Sequence, residues 1–256
     1  MTSTLIVGNW KMHGTTSVAS TLAAELAENE IIRDAKRDGV DVVCCPPFTA
    51  LSLVGQLLAE TSVKLGAQTC HYQRQGAHTG DISAEMLRDV GCSFVLVGHS
   101  ERRRDHHESN DQVAAASIAA VDAGLIPVIC VGETYHEHQS AMTYDVLERQ
   151  IGSVCTALGS KLSSCVVAYE PVWAIGTGLA ATAEHVQTTH AHIVELVRTH
   201  GVTIPVLYGG SVNASNAEEL LATMHVGGLL IGGASLNISS FAAIVAAARS
   251  RGGWRR

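Results

Sequence analysis

Eight short runs of apolar and β-branched residues recur along the chain, at residues 5–7, 40–45, 63–67, 94–97, 126–131, 165–169, 204–208 and 229–231. Stretches with helical spacing separate most of them, such as Val18-Leu22-Leu26, Val113-Ala116-Ile118-Val121 and Val186-Ile193-Val194-Val197. A strand that reads as a continuous apolar run is covered on both faces, which implies a parallel sheet wrapped in helices. Eight alternating β and α units predict an α/β fold closed into a single (β/α)8 barrel over residues 1–256, with an open doubly wound sheet as the alternative. At 256 residues, 46 % hydrophobic and 16 % charged, the chain can bury one large core without a second domain.

Polar or glycine punctuation falls after the strands. It reads Gly8-Asn9-Trp10-Lys11, Pro46-Pro47, Gly98-His99-Ser100, Gly132-Glu133, Glu170-Pro171, Gly209-Gly210-Ser211 and Gly232-Gly233. In a parallel barrel these turns share one mouth, the face where active sites sit. Glu170 leaves an apolar run just before Pro171-Val172-Trp173-Ala174-Ile175-Gly176-Thr177-Gly178, a Pro-led, Gly-rich segment with the composition of a lid. A carboxylate delivered from a buried strand is expected to have a raised proton affinity and to act as a base. His99 follows Gly98 and opens a helical turn through Ser100-Glu101-Arg102-Arg103. The N-terminus of that turn would favour the neutral imidazole, suited to an electrophile or proton carrier. Among the four lysines, only Lys11 falls at the mouth, beside Asn9, where a cation can hold an anionic substrate and stabilise developing charge.

The glycine turns at Gly209-Gly210-Ser211 and Gly232-Gly233 follow the last two strands, where barrels often hold a phosphate on backbone N–H groups. Gly176-Thr177-Gly178-Leu179-Ala180-Ala181 matches a loose nucleotide fingerprint, but its glycines come too late after the strand. His106-His107, His136/His138 and His190/His192 lack metal-ligand spacing and read as solvated surface histidines, so no metal is expected. Neither a Gly-x-Ser-x-Gly elbow nor a P-loop is present.

Net charge is −7, and basic residues cluster only in the tail Arg249, Arg251, Arg255 and Arg256, so neither nucleic acid nor a membrane is an expected partner. No apolar run reaches membrane length, and Met1-Thr2-Ser3-Thr4 leads straight into a strand without a targeting segment. Seven cysteines without paired spacing read as free, largely buried thiols, and the expected location is cytoplasmic. Residues 68–83 have neither strand nor helix period; a connection this long is expected to be an ordered loop docking on another subunit.

Five segments together resemble the triosephosphate isomerase family: Gly8-Asn9-Trp10-Lys11-Met12, Val97-Gly98-His99-Ser100-Glu101-Arg102-Arg103, Ala168 to Gly178, Tyr208-Gly209-Gly210-Ser211-Val212 and Gly232-Gly233-Ala234-Ser235-Leu236. They occur in the family's order and span nearly the whole chain. The resemblance implies a TIM barrel interconverting dihydroxyacetone phosphate and D-glyceraldehyde 3-phosphate through an enediolate, without a cofactor. It implies Glu170 as base, neutral His99 as electrophile, and Lys11 with Asn9 stabilising charge, supported by Glu101. Gly176, Ser211, Gly232 and Gly233 would hold the phosphate, and residues 171–178 would close over it. A homodimer is also implied, with Thr79 of the 68–83 loop reaching the neighbour's Asn9-Lys11 turn. Thr69, His78, Leu179 and Gly227 replace the asparagine, aromatic, lysine and aspartate common at those positions; the first two touch the interface, the others lid mobility and the last strand. A Schiff-base aldolase would want a lysine where Glu170 stands. A sugar-phosphate-binding barrel without activity would be expected to lose Glu170, His99 or Lys11, and all three are present.

Overall fold

Alternate residues of a strand face opposite sides, so an apolar run in a closed parallel barrel must fill two cores, one inside the ring and one beneath the helices. The computed structural model, which describes residues 3–175 and 181–251, has both. Eight parallel strands form a closed ring in chain order: β1 (Thr4–Asn9), β2 (Val40–Cys45), β3 (Lys64–Ala67), β4 (Phe94–Val97), β5 (Ile126–Val131), β6 (Val166–Tyr169), β7 (Val206–Tyr208) and β8 (Gly228–Ile231). The ring closes where β8 pairs with β1, from Leu5 opposite Gly228 to Gly8 opposite Ile231. The closed barrel expected from the sequence is therefore the fold, and the open sheet is excluded.

The barrel interior is filled by side chains such as Val7, Val43, Cys45, Phe94, Leu96, Val128 and Ala168. Neighbouring Cys44 belongs instead to the core under the helices. In β3 the inward position is Gly66, where an added Cβ would lie 2.6 Å from Cys45 Sγ and 3.0 Å from Val43 Cγ1. Cys45 and Val43 thus occupy the space a side chain would need, with Phe94 Cβ also within 3.4 Å. Strand β7 is shorter than the expected run 204–208 because Pro205 offers no amide donor; its carbonyl still accepts from the Val167 amide at 3.1 Å.

The outer layer comprises α1 (Thr16–Glu28), α2 (Glu30–Asp34), α3 (Phe48–Leu58), α4 (Ala84–Asp89), α5 (Ser100–Asp105), α6 (Asn110–Asp122), α7 (Tyr135–Gln139), α8 (Thr143–Leu158), α9 (Ala183–Thr199), α10 (Ala217–Ala222) and α11 (Ile238–Arg251). In α1 the buried face is Ala19, Leu22, Ala23 and Leu26, while Val18 faces solvent, one position off the expected stripe. Small alanines let this helix sit close to the sheet. No helix among the described residues is long and apolar enough to cross a membrane. All seven cysteines are free and buried, and burial pushes the Cys44 thiol up to about 12. The 68–83 loop is ordered by a parallel bridge between His71 and Ser83, by the His71 amide on the Ile82 carbonyl (2.8 Å), and by Arg74 on Glu85 (2.7 Å).

Candidate active site

Five strand ends bring the expected residues into one cavity of about 360 Å³ at the barrel mouth. Asn9 ends β1 with Lys11 two residues on, His99 follows β4, Glu170 follows β6, and the turns at 209–211 and 232–233 follow β7 and β8. Ser211, Gly232 and Gly233 line the same cavity, and a Cβ at Gly232 would lie 3.1 Å from Lys11 Cε. Glu101 joins the group from the first turn of α5, with Lys11 Nζ 2.6 Å from its carboxylate. Gly176, Thr177 and Gly178 lie outside the described residues.

Glu170 and His99 are both buried and in contact, with His99 Nε2 3.0 Å from Glu170 Oε1. The Ser100 amide donates to Glu170 Oε2 at 2.9 Å. Burial alone would raise the carboxyl's proton affinity, but the facing imidazole, the Ser100 N–H and nearby Lys11 together hold it below the ordinary glutamate range. The raised affinity expected for Glu170 is thus corrected for this arrangement: its partners outweigh its burial. For His99, burial opposes the charged ring, while Glu170 and then Glu101 favour it and lift the imidazole above its ordinary value. The other ring nitrogen gives the opposite signal. As the residue capping α5, His99 accepts the Glu101 amide at Nδ1 (3.2 Å), so the ring carries its proton on Nε2. A doubly protonated ring would turn Nδ1–H against that amide. The capping contact at Nδ1 thus favours the neutral ring, while Glu170 and Glu101 favour the charged one.

Lys11 has a left-handed backbone, φ 53°, which costs a non-glycine residue about 1–2 kcal/mol. Two contacts hold it there. Its amide donates to Asn9 Oδ1 (2.9 Å), and its carbonyl accepts from Gln68 Nε2 (2.8 Å), which also donates to the Cys45 carbonyl (2.9 Å). The bend buries Trp10 and leaves Met12 94 % exposed. Gln68 received no role from the sequence. Arg103 was quoted only within a motif, yet its guanidinium donates to the carbonyls of Gly98 (2.8 Å) and Cys130 (3.2 Å), tying together the ends of β4 and β5.

The described part of the expected lid, residues 171–175, is anchored to the turn after β5. Val172–Ala174 form a single 3-10 turn; the Val172 amide donates to the Glu133 carbonyl (3.1 Å), and Trp173 Nε1 to Glu133 Oε1 (2.7 Å). Tyr169 Oη donates to the same carboxylate at 3.1 Å, and Ser211 Oγ donates to the Ala174 carbonyl at 2.6 Å. Glu133 is fully buried and binds residues on both sides of Glu170, a position that its place after β5 could have signalled. One histidine expected on the surface is also corrected. His190, on the inner face of α9, is fully buried, and desolvation pulls it down to about 4; His138 stays part-exposed while stacking on Trp173 with ring centroids 4.4 Å apart.

The site has a buried carboxylate, a buried imidazole in contact with it and an anchored cation around a cavity edged by glycine turns, which suits proton transfer on a small anionic carbonyl compound. A family model described as triosephosphate isomerase matches residues 4–248. The chain is 50 % identical over 252 residues to a protein named triosephosphate isomerase from Chelativorans sp. (strain BNC1), covering 96 % of this chain and 97 % of that one. It is 47 % identical over 251 residues to one from Rhodopseudomonas palustris (strain BisA53), covering 94 % and 96 %. It is 44 % identical over 251 residues to one from Geotalea uraniireducens (strain Rf4), covering 96 % and 98 %. With likeness of that extent along essentially all of both partners in each pair, the chain belongs to the triosephosphate isomerase family.

Proposed function

We propose that this barrel is an aldose–ketose isomerase interconverting dihydroxyacetone phosphate and D-glyceraldehyde 3-phosphate, and that Glu170, His99, Lys11, Asn9 and Glu101 carry the reaction. The observation that carries the assignment of roles is the buried Glu170–His99 contact in a cavity that Lys11 shares.

Glu170 removes a proton from the carbon next to the carbonyl and returns it to the neighbouring carbon. To reach that carbon its carboxylate must leave the His99 ring and the Ser100 amide. Those two contacts do most to hold its proton affinity low, and once they are lost burial outweighs Lys11 and strengthens it as a base. The move also withdraws the charge that favours protonated His99, so the neutral ring is free to donate Nε2–H to the substrate oxygen. As the carbonyl oxygen becomes an enediolate oxygen, the imidazole supplies its proton there and recovers one from the neighbouring hydroxyl. Lys11 stabilises the developing charge, with Asn9 fixing its backbone and Glu101 its ammonium. Ser211, Gly232 and Gly233 hold the phosphate, joined by Gly176; the support is that the described turns line the cavity wall and present backbone near Lys11. Closure of residues 171–178 keeps water from the intermediate.

The chain acts as a single barrel unit in a cytoplasmic homodimer. In support of the dimer, the ordered 68–83 loop presents exposed Thr79, and Met12 stands exposed beside the catalytic lysine. A cavity of about 450 Å³ next to Gly98 and Arg102, with part-exposed Phe48 in its wall, gives a partner's loop a place to enter. In support of the location, all seven thiols are free.

The test is isomerisation of D-glyceraldehyde 3-phosphate by purified protein, coupled to reduction of the product, with metals chelated. Fast turnover without a cofactor is expected; a folded protein without turnover would overturn the assignment. Light scattering should give twice the chain mass, and Thr79→Asp should lower it. A monomer at micromolar concentration would refute the dimer.

A further inference from the structure

Outside the catalytic cavity, the densest collection of unused ligating groups lies behind the lid's first hinge. Glu133 from the turn after β5, His138 from α7 and His185 from the first turn of α9 present ligand atoms that all lie within 4.8 Å of one another. The Glu133 side chain is fully buried. His138 Nδ1 is buried without a hydrogen bond, although Glu133 Oε1 is only 3.4 Å away. His185 Nε2 lies 2.9 Å from Tyr169 Oη, which in turn lies 3.1 Å from Glu133 Oε1. Three residues from three separate elements thus aim at one point.

We propose that Glu133, His138 and His185 form a binding site for a divalent transition metal of the zinc class, and that its occupation takes Glu133 from Trp173 at the root of the lid. Two histidines and one carboxylate with room for a water make a donor set that suits Zn2+. Ligands about 2.1 Å from a tetrahedral ion lie about 3.4 Å apart, the separation Glu133 Oε1 and His138 Nδ1 already have. His185 has to close in by about an ångström from the edge of the cluster. Its Nε2 then exchanges the Tyr169 contact for the metal, and the ring proton moves to Nδ1. One carboxylate and two neutral rings leave the loaded site with a single net positive charge, which weakens Glu133 Oε1 as acceptor for Trp173 Nε1.

The test is titration of the metal-free full-length protein with Zn2+ by calorimetry, and with Co2+ by visible absorption. One tight equivalent and the intense bands of four-coordinate Co2+ are expected. His138→Gln and His185→Gln should each weaken binding about tenfold or more. His78→Gln, in the exposed group His71, His78 and Asp81, should leave it within about twofold. The half-exposed His138 tolerates the change, so melting curves of both variants separate lost ligation from lost folding. Unchanged affinity in folded His138→Gln and His185→Gln, or loss in His78→Gln, would overturn the site. Saturating Zn2+ should also slow turnover, reversibly by chelation, in the unaltered protein and not in His138→Gln. An unaltered rate with the site filled would overturn the link to the lid. That last arm rests on the isomerase reading, whereas binding is read without turnover.

Discussion

Replacing Gln68 with leucine is expected to damage the active site from outside it. The substitution keeps the volume but removes the amide that donates to both the Lys11 and Cys45 carbonyls, at 2.8 and 2.9 Å. Cys45 keeps the Trp10 amide at 3.1 Å, so only the Lys11 carbonyl is stripped of this support. At about 1 kcal/mol per lost hydrogen bond, stability should fall by about 1–2 kcal/mol. In a chain of this size that lowers Tm by about 2–8 °C. The catalytic effect has a separate origin. Lys11 is held at φ 53°, a conformation about 1–2 kcal/mol above the ordinary backbone, and without Gln68 it can relax. The substrate complex must then restore it, which reduces kcat/KM by about 5–30-fold. Gln68→Glu should be worse, because it aims a carboxylate oxygen at two carbonyls. Steady-state kinetics in both directions and thermal melts on the same preparations decide the matter. If Tm falls as calculated while kcat/KM stays within about twofold, Gln68 only supports the fold, and the claim that it positions Lys11 is wrong.

Three further substitutions probe separate parts of the site. Glu170→Asp withdraws the carboxylate by about 1.5 Å and should cut kcat by about 10²-fold, while affinity for a non-reacting phosphate ligand changes little; undiminished turnover would mean Glu170 is not the base. Gly209→Ala would place a Cβ 3.0 Å from Glu170 Cγ and 3.3 Å from the Tyr169 carbonyl. The expected outcome is a loss of about 1–3 kcal/mol in stability together with reduced kcat, and an unchanged kcat would show that Glu170 has slack. His190 titrates at about 4 in the fold because burial disfavours its charge, against about 6.5 unfolded. Between those values the unfolded chain binds more protons, so stability should fall as pH drops through that window, by at most about 3 kcal/mol from this residue. His190→Asn should flatten the slope seen in urea melts from pH 6.5 to 4; an unaltered slope would assign it to other histidines.

The strands were legible because burial on both faces leaves an unbroken apolar run, and a glycine or polar turn after each run marks the mouth. The placement of Glu170, His99 and Lys11 at the mouth was legible for the same reason, since each falls within two residues of a strand's end. The boundaries that moved have local causes, Pro205 in β7 and the rotation of α1 that exposes Val18. What escaped the sequence depends on side chains reaching across elements. Gln68 acts 57 residues away on Lys11, and Arg103 acts 27 residues away on the end of β5. Glu133 collects Tyr169 and Trp173 from 36 and 40 residues away. The sign of the Glu170 shift failed similarly: burial can be inferred from a strand end, but a parked position on His99 and the Ser100 amide cannot.

The pairing of β8 with β1 has a consequence for the birth of the molecule. The Ser235 hydroxyl meets the Asn9 carbonyl, at 3.4 Å, across 226 residues of chain. At about 5–20 residues per second, a ribosome needs about 10–45 s to separate the two. Throughout that interval the lysine of the first turn has been made but has no opposite wall, because Gly232, against which its side chain lies, does not yet exist. β1 meanwhile waits with an apolar edge and no partner on one side, the condition under which nascent chains need shielding. Contacts so distant along the chain also make folding slow once synthesis ends. Activity should therefore emerge late and abruptly, with ring closure, rather than grow as strands accumulate.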